Sequence, residues 1–328
     1  VDRELAKAFC DGTRNDFKKI LEKSMRRADG SKVDVNLLLS CLQETMDFEH
    51  LLEKRFTSAP RSSIETPTSA KEMNEDSFER TISQAFEPYL SVWVESQESA
   101  LASTIPKYRN QDLLPPDEEF SPQAVIASSI ELFHLYKTIL AKCAKLSTGE
   151  RLLDLSKVLS KYLDEYAQQV LLYFLQPPTG STLSNIILVL NTADYWHTNT
   201  QQLEDSLKKR INIEFLPMID LSPQTDVFMG VASAVISALV QRVEAACETP
   251  WREMKNITWS RMESVGDQSS YVAELTRNIN FQAQKILMLI TKQQYARAFC
   301  DNLVEHIATA YIDNIVQCRP ISEVGAEQ

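Results

Sequence analysis

Glu131-Leu-Phe-His134 sets a carboxylate and an imidazole three residues apart, close enough on one helical face to ligate the same metal ion. Asp194-Tyr-Trp-His197 repeats that spacing with an aspartate. The two segments read as halves of a carboxylate-bridged metal centre, and a metal-dependent helical-bundle oxidase using Glu131, His134, Asp194 and His197 is the alternative function they allow. Such a centre also needs two inward glutamates at matched depth, and no glutamates fall on opposing apolar faces in that way. A surface histidine beside an acidic residue is the plainer reading of each pair. The other histidines, His50 and His306, directly follow Glu49 and Glu305. Adjacent helical residues diverge, so both read as polar-face residues. The expected complement of metals and cofactors is none.

Other chemistry is thinner still. There is no Gly-x-Ser-x-Gly elbow, phosphate loop or kinase pattern, and the chain has only 7 glycines in 328 residues. Cys10, Cys41, Cys143, Cys247, Cys300 and Cys318 show no Cys-x-x-Cys spacing, so they read as reduced packing residues of a cytosolic protein. A net charge of -11 repels phosphate and argues against nucleic acid as a partner. The cluster Arg14, Lys18, Lys19, Lys23, Arg26 and Arg27 has the density of an anionic-membrane contact, but Asp16 and Glu22 interrupt it, and a solvated helix face is the simpler reading. The four tryptophans, Trp93, Trp196, Trp251 and Trp259, sit in or beside helical segments and are expected in the core.

Any of these side chains must be positioned by helices, because apolar residues recur three and four apart almost from end to end. Helices are expected over 2–27, closed by Asp29-Gly30, and over 33–56, the two forming an antiparallel hairpin. Residues 57–74, rich in Ser, Thr and Pro, are expected to be a mobile linker. A helix follows from Asp76-Ser77 through Phe78, Ile82, Phe86, Leu90 and Trp93 towards Ala102. Pro88 is expected to bend the helix that contains it, a new helix beginning at Pro88 being the alternative. Pro106, Pro115, Pro116 and Pro122 mark a break over 105–122. Ser121-Pro122 then resembles an N-cap opening a helix to Leu146. Thr148-Gly149 turns into a helix over 150–175, with Leu152, Leu155, Leu159, Tyr162, Tyr166, Val170 and Tyr173 on one side, ended by Pro177-Pro178. Further helices are expected over 183–214, from 223 to Ala246, near Pro250, and over 270–291 and 294–317.

The expected organisation is a helical bundle at 1–118 and a helical region at 119–328 that divides near 217–225. No run reaches about 18 uninterrupted apolar residues, the richest stretch, 227–243, being broken by polar side chains. The opening residues lack signal-peptide order, and both ends read as cuts within a longer protein. Helix content of about 70% or more is expected, against a base rate near a third.

Several stretches, in order over nearly the whole chain, carry a resemblance. They are Phe48-Glu49 with Leu52-Glu-Lys-Arg-Phe56, Phe86-Glu-Pro-Tyr-Leu-Ser-Val-Trp-Val-Glu95, and Thr200-Gln-Gln-Leu-Glu204 with Leu207-Lys208-Lys209. Val265-Gly-Asp-Gln-Ser269 before Tyr271, and Cys318-Arg-Pro-Ile-Ser-Glu-Val-Gly-Ala-Glu-Gln328, complete the set. Together they resemble the Vps-fifty-three subunit family of the Golgi-associated retrograde protein (GARP) complex, shared with the endosome-associated recycling protein (EARP) complex. The resemblance implies an all-α, elongated rod of consecutive helical bundles, similar to exocyst and conserved oligomeric Golgi tether subunits.

It also implies a non-enzymatic scaffold for vesicle tethering in endosome-to-Golgi retrograde transport, on the cytosolic face of the trans-Golgi network and endosomes. Implied partners are the other GARP and EARP subunits, with SNARE proteins and small GTPases for the full complex, and peripheral membrane association through that complex. The family's amino-terminal coiled coil, which assembles the subunits, has no counterpart in this chain. Gly266, Asp267, Gln268 and Ser269 are the candidate partner-binding loop. A second reading of the same loop is local: Asp267 or Ser269 caps the helix that begins near Ser270.

Overall fold

The computed structural model describes residues 2–27, 34–57, 77–115, 117–177 and 182–328. Among them the protein is 78% helical and has no strands. The expected ends at Asp29-Gly30 and Pro178, and the linker over 57–74 apart from Thr57, lie outside the described residues. The chain divides into two compact units. Unit 1 comprises Val1–Ala102, Tyr136–Leu159 and Ser206–Ile219; unit 2 comprises Ser103–Leu135, Ser160–Asp205 and Asp220–Gln328.

In unit 1, α1 (Asp2–Arg27) and α2 (Val35–Thr57) form the expected antiparallel pair. Phe9 meets Phe48 edge-on at 6.1 Å, while Phe17 and Leu21 of α1 pack with Leu38 and Leu42 of α2. The helix expected to start at Asp76-Ser77 is not formed over 77–82, Asp76 lying outside the described residues. Residues 79–82 turn, Ser83–Tyr89 is a 3-10 helix, and α3 (Leu90–Tyr108) begins two residues after Pro88. Pro88 thus lies inside the 3-10 helix, two residues ahead of α3, and not within an α-helix.

The reason lies on α2. Glu49 is buried, and its carboxylate accepts from the backbone N–H groups of Arg80, Ile82 and Ser83 and from the Ser83 hydroxyl, at 2.5–3.1 Å. Glu53, one turn further along α2, accepts from the Phe78 N–H at 2.7 Å and from the Ser77 hydroxyl at 3.3 Å. Two carboxylates thereby replace the carbonyls that a helix would have offered these N–H groups. Arg80 pays for the turn with a left-handed backbone, φ 63°. Its guanidinium donates to the Thr148 hydroxyl, which donates in turn to the Asn212 side-chain carbonyl at 2.7 Å.

Unit 2 is built around an aromatic cluster. Its helices include α4 (Ala127–Leu146) in its first half, α5 (Glu150–Tyr166) in its last residues, the short α6 (Leu172–Leu175) and most of α7 (Leu183–Lys208). Fully buried Trp196 of α7 stacks on Phe228 at 5.8 Å, meets Phe133 edge-on at 5.9 Å, and contacts Tyr166 at 5.8 Å. Phe228 belongs to α8 (Ser222–Ala245), which α9 (Glu248–Asn256), α10 (Ser270–Leu287), α11 (Gln293–Gln317) and α12 (Glu323–Glu327) follow. The mean hydropathy of an 18-residue window here reaches 1.4, enough by length and composition for a membrane span. Phe228, Val231, Val235, Leu239 and Val243, at helical spacing along α8, are buried in the unit, as a core helix requires. All four tryptophans are buried, as expected.

Three further expectations need correction in this region. The break placed at 105–122 starts later, because α3 runs through Pro106 to Tyr108. Ser121-Pro122 opens no helix: α4 starts at Ala127. Asn191 of α7 donates its amide to the carbonyls of Pro122 and Ala124 at 3.0 and 2.9 Å, and the Thr192 hydroxyl accepts from the Ile126 N–H at 2.9 Å. These bonds hold the segment open until it reaches α4. The helix expected over 150–175 contains a π turn at Ala167–Leu171. That turn shifts the register, so Tyr166, Val170, Leu171 and Phe174 are buried while Tyr173 is exposed with the Arg109 guanidinium 5.1 Å from its ring. Arg109 also donates to the Gln169 carbonyl within the π turn at 2.6 Å.

The Glu49 arrangement yields a direct test. Glu49→Ala strands three backbone N–H groups, each worth about 1–3 kcal/mol when buried and unsatisfied, so unit 1 is expected to lose about 3 kcal/mol or more in urea unfolding followed by circular dichroism. Glu49→Gln, which keeps the shape with a weaker acceptor, is expected to lose less. A Glu49→Ala loss below about 0.5 kcal/mol, the size of an ordinary surface change, contradicts the arrangement.

Candidate functional site

The four residues of the metal alternative do not converge. On α4, Leu132 and Phe133 are buried, whereas Glu131 and His134 lie on the exposed face. On α7, Asp194 is buried but committed elsewhere: one carboxylate oxygen pairs with the Lys292 ammonium, and the other accepts from the Tyr295 hydroxyl at 3.0 Å. A divalent ion at Asp194 would stand against an ammonium group, so the site is electrostatically wrong for one. Among the described residues no three His, Cys, Asp or Glu side chains gather as a metal site.

Asp194, Lys292 and Tyr295 instead line one wall of an open cavity of about 510 Å³ in unit 2, between α7 and the residues leading into α11. Burial, reinforced by the Asp194 carboxylate, pushes the Tyr295 hydroxyl up to about 12, so it stays a proton donor to Asp194 across the neutral range. The triad ties α7 to the start of α11, and its atoms are used in that tie.

The sequence reads His50 and His306 as polar-face residues, and His50 is exposed. Glu49 is the buried carboxylate described above, and His306 is bonded through Nε2 to the Glu244 carboxylate at 2.6 Å, joining α11 to α8. Only a partner far along the chain distinguishes such residues, so no local spacing reveals them. In the basic cluster of α1, Arg14 donates to Asp11 and to the Thr81 carbonyl, and Lys19 pairs with Asp16. The Arg26 and Arg27 side chains lie outside the described residues.

Gly266, Asp267 and Gln268 are exposed in the turn before α10, and Ser269 occupies the N-cap position with an extended backbone. The expected capping bond is not made there: the Ser269 hydroxyl accepts from the Gln328 side-chain amide at 3.3 Å, and the Gln328 carbonyl takes the Gly266 N–H. The final residues are held down nearby. Ser322 caps α12 by accepting from the Gly325 N–H at 3.1 Å and donates to the Trp259 carbonyl at 2.8 Å. A side chain at Gly325 would press its Cβ to 2.4 Å from that same carbonyl, so only glycine permits the approach.

Comparison with known proteins adds lineage to this geometry. Residues 1–112 match the family model described as "Vps53, N-terminal". Over its whole length the chain is 28% identical to the vacuolar protein sorting-associated protein 53 homolog of Caenorhabditis elegans, of which it covers 42%. It is similarly 26% identical to vacuolar protein sorting-associated protein 53 A of Arabidopsis thaliana, covering 46% of that protein. Across 95% of its length it is 24% identical to vacuolar protein sorting-associated protein 53 of Saccharomyces cerevisiae, covering 39%. The chain therefore spans less than half the length of these relatives. No solved structure matches it.

Thiol chemistry checks the packing of both units. Burial pushes the Cys143 thiol up to about 12 and the Cys247 thiol up to about 11, and raises Cys10. Their thiolate fractions at pH 8 are therefore very small. Half-buried Cys41 and Cys300 are expected to react with a thiol reagent at pH 8 while Cys10, Cys143 and Cys247 react only after denaturation. Mass-spectrometric mapping of the modified residues reads the result, and fast native labelling of Cys143 or Cys247 contradicts it.

Proposed function

We propose that the chain, which is similar to Vps53 proteins along its whole length, is a scaffold segment of a vesicle-tethering subunit of that family, acting without catalysis in endosome-to-Golgi retrograde transport. Collinear similarity along the whole chain is the observation that carries this reading. The partners proposed are the other subunits of a GARP or EARP complex, with SNARE proteins and small GTPases engaging the assembled complex. The place of action proposed is the cytosolic face of the trans-Golgi network and endosomes, reached peripherally through the complex.

The mechanism is geometric. Helices whose ends are tied to their neighbours hold binding surfaces at fixed positions, and no covalent bond changes. Asp194 and Glu49, side chains of a type that serves acid–base or metal chemistry, are committed to internal ties. The exposed loop Gly266, Asp267, Gln268 and Ser269 is proposed as one contact for a partner.

Depletion of the protein, followed by rescue with the full-length subunit, tests this. Depletion is expected to slow retrieval of a cycling cargo from endosomes to the Golgi. A subunit carrying Glu131→Ala, His134→Ala and His197→Ala is expected to restore retrieval as well as the unaltered one. Unchanged retrieval on depletion overturns the transport role; failure of the folded triple variant overturns the non-catalytic reading. If the loop makes a contact, Asp267→Arg lowers rescue without changing the melting temperature.

A further inference from the structure

Asp164 and Gln224 form a hydrogen-bonded pair that is one donor short. Asp164 lies near the end of α5 and Gln224 in the first turn of α8, and the Gln224 side-chain N–H donates to Asp164 Oδ2 at 3.0 Å. The second oxygen of the carboxyl, Asp164 Oδ1, and the oxygen of the amide, Gln224 Oε1, are both buried and have no partner among the described residues. Both are acceptors, so neither can satisfy the other, and a buried acceptor left without a donor costs free energy. Each sits on the same planar group as an atom of the bond already made.

The two helices are held together at this point by rings. Tyr166, two residues after Asp164, and Phe228, one turn after Gln224, each contact the fully buried Trp196 ring at 5.8 Å. No cation pairs with Asp164 among the described residues. The charged and titratable groups on the surrounding segments are occupied elsewhere or exposed. Glu165 takes the Gln169 amide, Arg109 donates to the Gln169 carbonyl, and Lys161 lies 5.2 Å from the Tyr162 ring. Glu204 takes the Leu221 N–H, Asp220 takes the Ser222 N–H, and Asp226 is exposed. His197 on α7 is half-buried, with no bond at Nδ1.

We propose that this pair is a proton-operated tie: a proton taken from solvent onto Asp164 Oδ1 donates to Gln224 Oε1 and closes a two-bond ring of carboxylic acid and amide between α5 and α8. One proton satisfies both unpartnered acceptors and removes a charge that has no counterion. The folded chain holds that proton more tightly than the unfolded chain, which has no ring. The tie therefore stabilises unit 2 where the proton is bound, and its contribution is lost as the pH rises. It lies inside unit 2, so the proposal does not depend on the tethering role.

Asp164→Asn supplies the missing donor at every pH, because an amide N–H then stands where the proton would. Thermal unfolding of the 328-residue protein, followed by circular dichroism at pH 8, is expected to show Asp164→Asn melting about 2 °C or more above the unaltered protein. The gap is expected to narrow as the pH is lowered from 8 to 5.5, where the unaltered protein closes its own ring. Gln224→Met removes the Oε1 acceptor, and Asp164→Asn made on that background is expected to bring no such gain. Infrared spectra of the folded protein read the proton directly: at pH 5.5 a protonated-carboxyl band is expected in the unaltered protein and not in Asp164→Asn.

A gain that survives Gln224→Met comes from loss of the charge alone and overturns the ring. A gap that stays constant with pH, or the absence of the infrared band, overturns the role of the proton. Asp164→Asn melting below the unaltered protein at both pH values also overturns the proposal, since Oδ1 is then held by a group that requires the carboxylate.

Discussion

Every interrupted helix leaves backbone N–H and C=O groups that cost free energy unless something bonds them. With 13 prolines and 7 glycines, this chain interrupts its helices often and has few glycine turns with which to end them. Side chains from neighbouring helices do that work. Glu49 and Glu53 of α2 take the N–H groups of Phe78, Arg80, Ile82 and Ser83, Asn191 and Thr192 of α7 hold the segment before α4, and Glu204 takes the Leu221 N–H at the start of α8 at 3.0 Å. Each bond joins residues at least 17 positions apart, so it fixes one helix against another as well as satisfying a donor or acceptor.

That arrangement also accounts for the two most deeply placed acids, Glu49 and Asp194. A buried carboxylate is worth keeping only when it is fully paired. Glu49 is paired with three backbone donors and a hydroxyl, and Asp194 with an ammonium and a phenol. All four of these carboxylate oxygens are engaged in ties between segments of the chain. Around these ties, Trp196 and its ring partners supply the apolar mass of unit 2, where removing so large an aromatic side chain costs about 3–5 kcal/mol. Tied helix ends and close-packed rings make a framework suited to holding surfaces in place.

Helices with an uninterrupted apolar stripe were legible in the sequence. The expected spans 2–27, 33–56 and 294–317 appear as Asp2–Arg27, Val35–Thr57 and Gln293–Gln317, because a 3.6-residue period is a local property. The segment 77–89 was not legible. Phe78, Ile82 and Phe86 have helical spacing and are all buried, but the N–H groups of Phe78 and Ile82 bond to Glu53 and Glu49, 25 and 33 residues away. Ser121-Pro122 fails for the same reason, with Asn191 as the distant partner. The π turn at 167–171 left no local mark, and it turned Tyr173 outward. At the candidate metal site, the plainer reading of a surface acid and histidine holds for Glu131 and His134, which are exposed on one face of α4, but not for Asp194, which is buried against partners 98 and 101 residues away.

Hydrogen exchange on the native protein, resolved to single amides, tests the tying of broken helix ends most directly. The amides of Ile82, Ser83, Ile126 and Leu221 lie outside regular α-helix, yet each bonds a side chain from another helix. They are expected to exchange as slowly as amides inside α3 and α8, such as those of Leu101 and Phe228, since opening them requires the helices to part. Exchange at the rate of the exposed Asp267 and Gln268 amides would contradict the account, because the breaks would then be loose joints in the framework.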